Sequence, residues 1–348
     1  MTQSIVRAID VGYGNTKFVQ FYIQGDQVAC SLFPSLAPQA GSGPDLTGGV
    51  FQRRNTVQIE VEGVSYEVGR DARLAQDPSY GRVLDADYSM TDTYMALVRG
   101  AIHYMGVPHL DLLLLGLPVN THHLHHEALA ARMIGVHRIP DQSGKIVDVE
   151  VRNVRVTPQP IGAFFDYSIR NNVYGRMRNQ MNLLIDPGYY TLDWVVAQGV
   201  KMVNARSGAH SGGMSAILAT IGEAISKDLG HQLSDYSAID EAIRTGSQPR
   251  FFGKQRDISS YIRLGKEKAR QFVSVLANKV GNAGVDIDNI ILAGGGAEFF
   301  RDVIQEKFPN HELVVTEDPV FANVRGFQLA GEQYMRTQEF NGKRAAAA

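Results

Sequence analysis

Three short glycine-bearing segments hold the residues best suited to chemistry. Asp10-Val11-Gly12-Tyr13-Gly14-Asn15-Thr16-Lys17 gathers an acid, two glycines, an amide and a lysine. Half a chain later, Asp186-Pro187-Gly188-Tyr189-Tyr190-Thr191-Leu192-Asp193 repeats the Asp-x-Gly opening. A tight glycine turn points several backbone N–H groups the same way, and such a nest binds phosphate oxygens without side-chain charge. An acid just before the turn can hold a hydrated Mg2+ that bridges to substrate phosphates. Asp10, Gly12, Tyr13, Gly14 and Asn15 would then form one jaw on a polyphosphate, with Lys17 adding a point charge. Asp186, Gly188, Tyr189 and Thr191 would form the other. Asp10 and Asp186 are the candidate Mg2+ residues, acting through water. A single turn of this kind is an ordinary β-turn, and it is the repeated Asp that favours a clamp. The third segment, Ile290-Ile291-Leu292-Ala293-Gly294-Gly295-Gly296-Ala297, ends an apolar run in three glycines. Small residues there let a flat ring or a sugar approach the backbone.

The flanking pattern shows what positions these turns. Ile5–Ile9 reads as a strand, Phe18–Ile23 as a second, Gly25-Asp26 as a turn and Val28–Phe33 as a third strand. The first glycine turn therefore joins two antiparallel strands, whereas a dinucleotide-binding turn opens a helix. Residues Pro34–Gly49 read as a loop, and short strands follow at Val57–Val61 and Ser65–Val68. Asp92–Met105 has helical spacing, with Thr91 or Asp92 able to cap it. Leu110–Leu117 is a nearly continuous apolar strand, as expected when both faces are buried, and Pro118 ends it. A helix over Thr121–Ile134 and one alternating strand over Ile146–Val156 complete the half.

The second half repeats the plan. Met181–Ile185 and Trp194–Ala197 flank the second turn, and Ser211-Gly212-Gly213 opens a helix whose apolar residues Met214, Ile217, Leu218, Ile221 and Ile225 keep a 3.6-residue period. Ser211, Gly212 and Gly213 are counted with the nucleotide-binding candidates, as are Gly294, Gly295, Gly296 and Ala297. Residues Ser247–Asp257 read as a loop or short hairpin, and Ser260–Val280 as a long helix. Glu298–Phe308 reads as a helix, Leu313–Val315 as a strand, and Phe321 to about Arg336 as a last helix. The weak duplication predicts two related domains, 1–156 and 157–320. A small subdomain is expected near 34–90, a C-terminal helix over 321–340 packing back on the first domain, and a tail over 341–348.

Composition excludes several functions. A chain of 348 residues suits about two domains, and 44% hydrophobic with 20% charged residues is ordinary for a packed globular protein. A net charge of −2 gives no electrostatic footprint for direct, sequence-specific nucleic-acid binding. The one cysteine, Cys30, excludes an intramolecular disulfide and a multi-cysteine zinc site, and it fits a reducing, cytoplasmic compartment. Met1-Thr2-Gln3-Ser4 does not read as a signal peptide, and no apolar run is long enough for a membrane span.

The order Asp-x-Gly-x-Gly-Asn-x-Lys, Asp-x-Gly-x-x-Thr-Leu-Asp and Gly-Gly-Gly-Ala resembles the first phosphate, second phosphate and adenosine motifs of the actin-like ATPase superfamily. Gly14-Asn15-Thr16-Lys17, Thr191-Leu192-Asp193 and Ala322-Asn323-Val324-Arg325-Gly326-Phe327 are similar to bacterial plasmid-segregation actins of the ParM/StbA type. The resemblance runs from about residue 5 to residue 336. It implies an α/β fold of two RNase H-like domains, the fold of actin, heat-shock chaperones and sugar kinases, with Mg2+ and ATP in the cleft and GTP as an alternative. It implies filaments that assemble with nucleotide and are destabilised by hydrolysis, and a DNA-binding adaptor at a plasmid centromere. It also implies a water-orienting side chain near the start of the second domain's first helix, where Thr157-Pro158-Gln159-Pro160 precedes Ile161–Ile169 and Gln159 takes the place of Glu or Gln. A neutral Gln is no strong base, but it can position water. Gln159, Asp186 and Asp10 are the implied catalytic set. Pro187 and Tyr189-Tyr190 depart from the small residues of relatives, and Tyr189 is expected to narrow the phosphate pocket.

Two other readings share this fold: a small-metabolite or sugar kinase, and a non-polymerising nucleotide-gated binding protein. No acid–hydroxyl constellation marks a kinase here. His122 and His126 have i, i+4 metal-ligand spacing within His122, His123, His125 and His126, but a solvated helix face is the better reading. Trp194 reads as core. Arg152, Arg155, Arg176 and Arg178 read as solvated basic residues.

Overall fold

A computed structural model describes residues 4–22, 28–41, 54–77 and 85–347 of the chain. The expected turn at Gly25-Asp26, residue Ile23, the expected loop over 42–49 and the last alanine lie outside the described residues. The chain divides into two compact units, Met1–Arg170 with Phe321–Ala348, and Asn171–Val320.

The first unit is built on strands β1 (Val6–Val11), β2 (Asn15–Tyr22) and β3 (Val28–Pro34), followed by the hairpin β4 (Thr56–Val61) and β5 (Val64–Gly69). Helix α1 (Asp92–Met105) starts where the sequence places it, because the Thr91 hydroxyl accepts the Tyr94 N–H. It ends at Gly106 in the left-handed region. Then come β6 (His109–Leu110), β7 (Leu112–Leu117), α2 (Val119–Met133), β8 (Gly135–Pro140), β9 (Ile146–Val151), β10 (Val154–Pro158) and α3 (Gln159–Arg170). The main sheet has the order β10-β7-β1-β2-β3, with β1–β2 and β2–β3 antiparallel and β1–β7 and β7–β10 parallel.

The expected single strand over Ile146–Val156 is in fact two strands in two sheets: β9 pairs β6 and β8, while β10 pairs β7. The break has a physical cause at Asp111, which also separates β6 from β7. Its carboxylate accepts from the Ile5 N–H and from Arg152, and its carbonyl accepts from Asn153 Nδ2. Partial burial opposes ionisation there, but the Ile5 N–H and Arg152 outweigh it and hold the Asp111 pKa below the ordinary carboxylate value.

The second unit contains α4 (Tyr174–Met177), β11 (Met181–Pro187), β12 (Leu192–Gln198), β13 (Lys201–Met202), β14 (Gly208–His210), α5 (Met214–Leu229) and α6 (Ser237–Thr245). The hairpin β15 (Arg250–Phe251) and β16 (Lys254–Gln255) follows, then α7 (Ser259–Val280), β17 (Asn289–Leu292), α8 (Ala297–Lys307) and β18 (Leu313–Val315). Its sheet runs β13-β12-β11-β17-β18, with β14 also on β12. Read from the hairpin side, both sheets follow the order 3-2-1-4-5 with the same pattern of antiparallel and parallel neighbours. The duplication hinted at by two Asp-led turns is thus a duplication of topology.

The last helix, α9 (Ala322–Ala347), belongs to the first unit. The sequence places the domain boundary after Val156, whereas the compact units divide after Arg170, because α3 packs along α9. Helix α9 continues past Arg336 through the segment set aside as a tail, whose Lys, Arg and Ala are good helix formers.

Strand alternation decides which residues reach the site. In β1 and β7, Ile9, Val11, Leu113, Leu115 and Leu117 join the core beneath α1, while Val6, Ala8, Leu112 and Leu114 pack against Val324 and Phe327 of α9. The two-residue period puts Asp10 on the α9 face. In β11 and β12, Leu183, Ile185, Leu192, Trp194 and Val196 enter the second unit's core, so Asp186 and Asp193 share the opposite face.

Candidate functional site

The two Asp-led turns have the same backbone construction. In the first, Gly12 N–H donates to Asn15 O (3.1 Å), with Asp10 directly opposite Lys17. In the second, Gly188 N–H donates to Thr191 O (2.8 Å), with Asp186 directly opposite Asp193. The turn tyrosines also match in place. Tyr13 stacks on Tyr88, with centroids 5.1 Å apart, and its hydroxyl donates to Asp85 O. Tyr189 is half-buried and packs on the second unit's core, which gives its ring an anchoring task. Each turn is braced differently. Ser35, just after β3, donates its N–H to Gly14 O and its hydroxyl to Gly12 O. In the second unit the start of α5 provides the brace: Gly213, Met214 and Ser215 donate to Tyr190 O (2.9 Å), Gly188 O (3.0 Å) and Tyr189 O (2.7 Å). The Gly212 N–H is also taken, by His210 O (2.7 Å). Gly212 and Gly213 therefore shape the second turn with amides that are already bonded, and Ser211 is exposed beside them.

Asp10 is fully buried, and its two oxygens have different partners. Lys17 Nζ lies 2.8 Å from Oδ2, and Gln159 Nε2 lies 2.7 Å from Oδ1. A carboxylate only accepts, so the Gln159 amide must turn its nitrogen to Asp10 and keep its carbonyl oxygen as a remaining acceptor. Gln159 is the first residue of α3 and is itself buried, so this orientation is held within the fold. It lies in the first unit, with Asp10. Behind Asp10, burial pushes the Tyr94 hydroxyl pKa well up, and the charge of Asp10 pushes the same way, with Tyr88 and Tyr13 behind it. Tyr94 stays a neutral phenol beside the acid.

The three glycines after β17 do three different things. Gly294 sits at φ +83°, and a Cβ there would overlap Asp186 Oδ1. Its N–H donates to Pro319 O. Gly296 donates to Pro187 O (2.8 Å), tying the third segment to the second turn, and Ala297 donates to Gly294 O (3.2 Å). Gly295 is exposed, with nothing nearer to its Cβ position than Val320 Cγ2 at 3.9 Å. It is the member of the trio with open space at its Cβ position.

The structural relatives and family models agree on what this architecture is. Residues 8–162 match the model for the N-terminal domain of actin-like proteins, and residues 184–306 match the C-terminal model of the archaeal actin homologue MreB-like proteins. The chain belongs to the actin-like proteins. It is similar to a 15-stranded ParM filament from Clostridium botulinum, at 21% identity and a TM-score of 0.76 over 95% of this chain and 100% of that one. It is also similar to the archaeal actin homologue Ta0583 in complex with ADP, at 19% identity and a TM-score of 0.75 over 94% of this chain and 99% of that one. The actin-like protein Alp7A aligns at 15% identity and a TM-score of 0.74, over 99% of this chain and 100% of that one. No protein with curated records matches the sequence. The two-domain α/β actin-like fold expected from the motifs is the observed one.

Within this actin-like chain, Asp193 is a residue the sequence reading left out of the site although it closes the Thr191-Leu192-Asp193 motif. Asp186 and Asp193 are both buried and opposed on one sheet face. Two acidic side chains at one register position offer oxygens suited to a hydrated divalent cation. The His cluster is only partly the solvated face expected. His122 and His126 stack at 4.8 Å, His122 Nε2 donates to Val156 O, and His125 Nε2 lies 3.1 Å from Asp87. Burial, with His126 and His123 adding to it, holds the His122 pKa below the ordinary imidazole value, against the Val156 hydrogen bond. Among the described residues no group of three His, Cys, Asp or Glu side chains could hold a metal ion. Among the same residues no helix is long and apolar enough to cross a membrane.

Proposed function

We propose that this actin-like chain binds and hydrolyses Mg-ATP, polymerises with it, and segregates plasmid DNA through a separate DNA-binding adaptor; Mg-GTP is the alternative nucleotide. The observation that carries the reading is the pair of matched Asp-led turns, one serving a Lys17–Asp10–Gln159 chain and the other an Asp186–Asp193 pair. The ADP complex of Ta0583 and the ParM filament support nucleotide binding and self-assembly respectively.

In this reading Tyr13, Gly14 and Asn15 turn backbone N–H groups to phosphate oxygens, as do Tyr189 and Thr191, while Gly12 and Gly188, whose N–H groups close the turns on Asn15 O and Thr191 O, shape the two nests. Lys17 carries three donors, so it can reach a phosphate while keeping Asp10. Asp186 and Asp193 would hold Mg2+ through water, and the ion would neutralise charge on the phosphates. Asp10 then acts through Gln159, fixing the amide nitrogen so that the carbonyl oxygen accepts a hydrogen bond from the attacking water and orients it. Gly294 lets Asp186 keep its place, and Gly295 makes room for ring and sugar. Nucleotide held by both turns would fix one conformation of the subunit. A head-to-tail contact then repeats into an open filament, and loss of the γ-phosphate loosens it. With a net charge of −2, grip on DNA falls to the adaptor.

Isothermal titration with Mg-ATP and Mg-GTP, paired with phosphate release, tests the nucleotide part. Saturable Mg2+-dependent binding with turnover is expected. Absence of binding to both nucleotides would refute it, and phosphate transfer to a sugar would select the kinase reading.

A further inference from the structure

Helix α3 carries Gln159, Gly162 and Asp166 at i, i+3 and i+7, one stripe along one face. That stripe lies on the Asn323–Phe327 segment of α9. At Gly162 the two backbones touch: a Cβ there would lie 2.6 Å from Asn323 Cα, and a Cβ on Gly326 would overlap Gly162 O. One turn further on, Arg325 Nε and Nη2 donate to the two oxygens of Asp166, both at 2.9 Å. The pair is buried, with side-chain exposures of 9% and 1%. At the other end of the stripe, Phe327 and the Gln159 side chain share the space above Gly116. A Cβ on Gly116 would lie 2.6 Å from the Phe327 ring and 2.9 Å from Gln159 Cγ.

A crossing made of bare backbone sets how close two helices come, but it presents a smooth surface that leaves rotation about the helix axis loosely defined. A two-pronged guanidinium–carboxylate contact is directional and resists that rotation. We propose that the Asp166–Arg325 pair is a positioning device for Gln159, fixing the roll of α3 so that the Gln159 amide meets Asp10 and presents its carbonyl oxygen to water. The inference rests on the water-orienting reading of Gln159 above. Side chains stand about 5–6 Å from the helix axis, so a roll of about 10° moves Gln159 by about 1 Å. A displacement of that size costs on the order of 10²-fold in rate at a reacting centre.

The test removes both charges together, because a lone buried charge unfolds proteins while an apolar pair of similar volume is commonly tolerated. The double variant Asp166→Leu/Arg325→Met is compared with wild type, with Arg325→Lys, with Gln159→Ala and with the triple combination. Thermal midpoint, affinity for Mg-ATP and kcat are measured for each. The expected result is a folded double variant that binds Mg-ATP within about 3-fold of wild type and turns it over ~10- to 100-fold more slowly. Arg325→Lys keeps the charge without the fork and falls between. In the triple variant the pair's removal adds no further loss to Gln159→Ala. A wild-type kcat in the double variant overturns the positioning role, as does a loss that multiplies with that of Gln159→Ala. If the double variant does not fold, Arg325→Lys decides by the same criteria. Wild-type protein without turnover refutes the hydrolase reading itself, and the positioning role with it.

Discussion

Gly294→Ala tests the link between the third glycine segment and the second turn. The backbone at 294 is left-handed, at φ +83°, where an L-residue costs roughly 1–2 kcal/mol. The added methyl would also overlap Asp186 Oδ1 and lie 3.0 Å from Pro187 O, so the carboxylate must move. Gly295→Ala is the matched control: its φ is unexceptional and its nearest neighbour is 3.9 Å away. The chain has one tryptophan, Trp194, which is buried in the second unit and whose indole N–H donates to Arg206 O. Urea denaturation followed by tryptophan fluorescence therefore reports on the unit that carries the mutation. Gly294→Ala should lose at least about 1–2 kcal/mol of that unit's stability, and its displaced Asp186 should lower turnover on the order of 10²-fold. Gly295→Ala should stay within about 0.5 kcal/mol of wild type. Equal stability and equal turnover for Gly294→Ala and wild type would refute the argument that Asp186 needs this glycine.

Three further outcomes follow from the same geometry. Gln159→Ala should slow hydrolysis by ~10²–10³ while leaving Mg-ATP affinity largely intact, since it removes a water-orienting group; single-turnover phosphate release beside a titration measures both. Asp186→Ala should suppress turnover and remove the Mg2+ dependence of binding, read by titration with and without the ion. His137 donates from Nε2 to Met133 O and accepts at Nδ1 from Arg99, and burial holds its pKa below the usual value of about 6.5. Above that value both folded and unfolded chains carry neutral imidazole. Below it the unfolded chain takes up a proton the folded chain resists, so stability falls on acidification. The thermal midpoint should drop from pH 7 to pH 5, His137→Gln should flatten that slope, and an unchanged slope would remove His137 from the account.

Much of the fold is written in local pattern. The Thr91 cap sets the start of α1, and the Leu313–Val315 strand appears where its short apolar run stands. The glycine turns were readable because Asp, Gly, Asn and Lys recur at fixed offsets. The break at Arg152-Asn153 shows in the sequence only as a one-residue slip of the alternation, from Val147, Val149 and Val151 to Val154 and Val156, which the reading as one strand passes over; that Asp111 holds the break is not legible, because it lies far away in sequence. The site's internal wiring was hidden for the same reason. Asp10 and Gln159, and Asp166 and Arg325, are each brought together by sheet and helix packing, which no spacing along the chain encodes. Nor does the sequence show that the amides opening α5 are spent on the carbonyls of the second turn. Tyr189 is expected from the sequence to narrow the phosphate pocket, but its ring, like that of Tyr13, lies against the core of its own unit.

Nucleotide-gated assembly is the central claim, and sedimentation of the purified chain tests it most directly. With Mg2+ and a slowly hydrolysed ATP analogue, the protein should pellet as filaments visible by electron microscopy, and it should remain in the supernatant with ADP or without nucleotide. Protein that stays monomeric under every nucleotide condition, while still binding Mg-ATP, would contradict the account and favour a kinase or a non-polymerising nucleotide-gated binder.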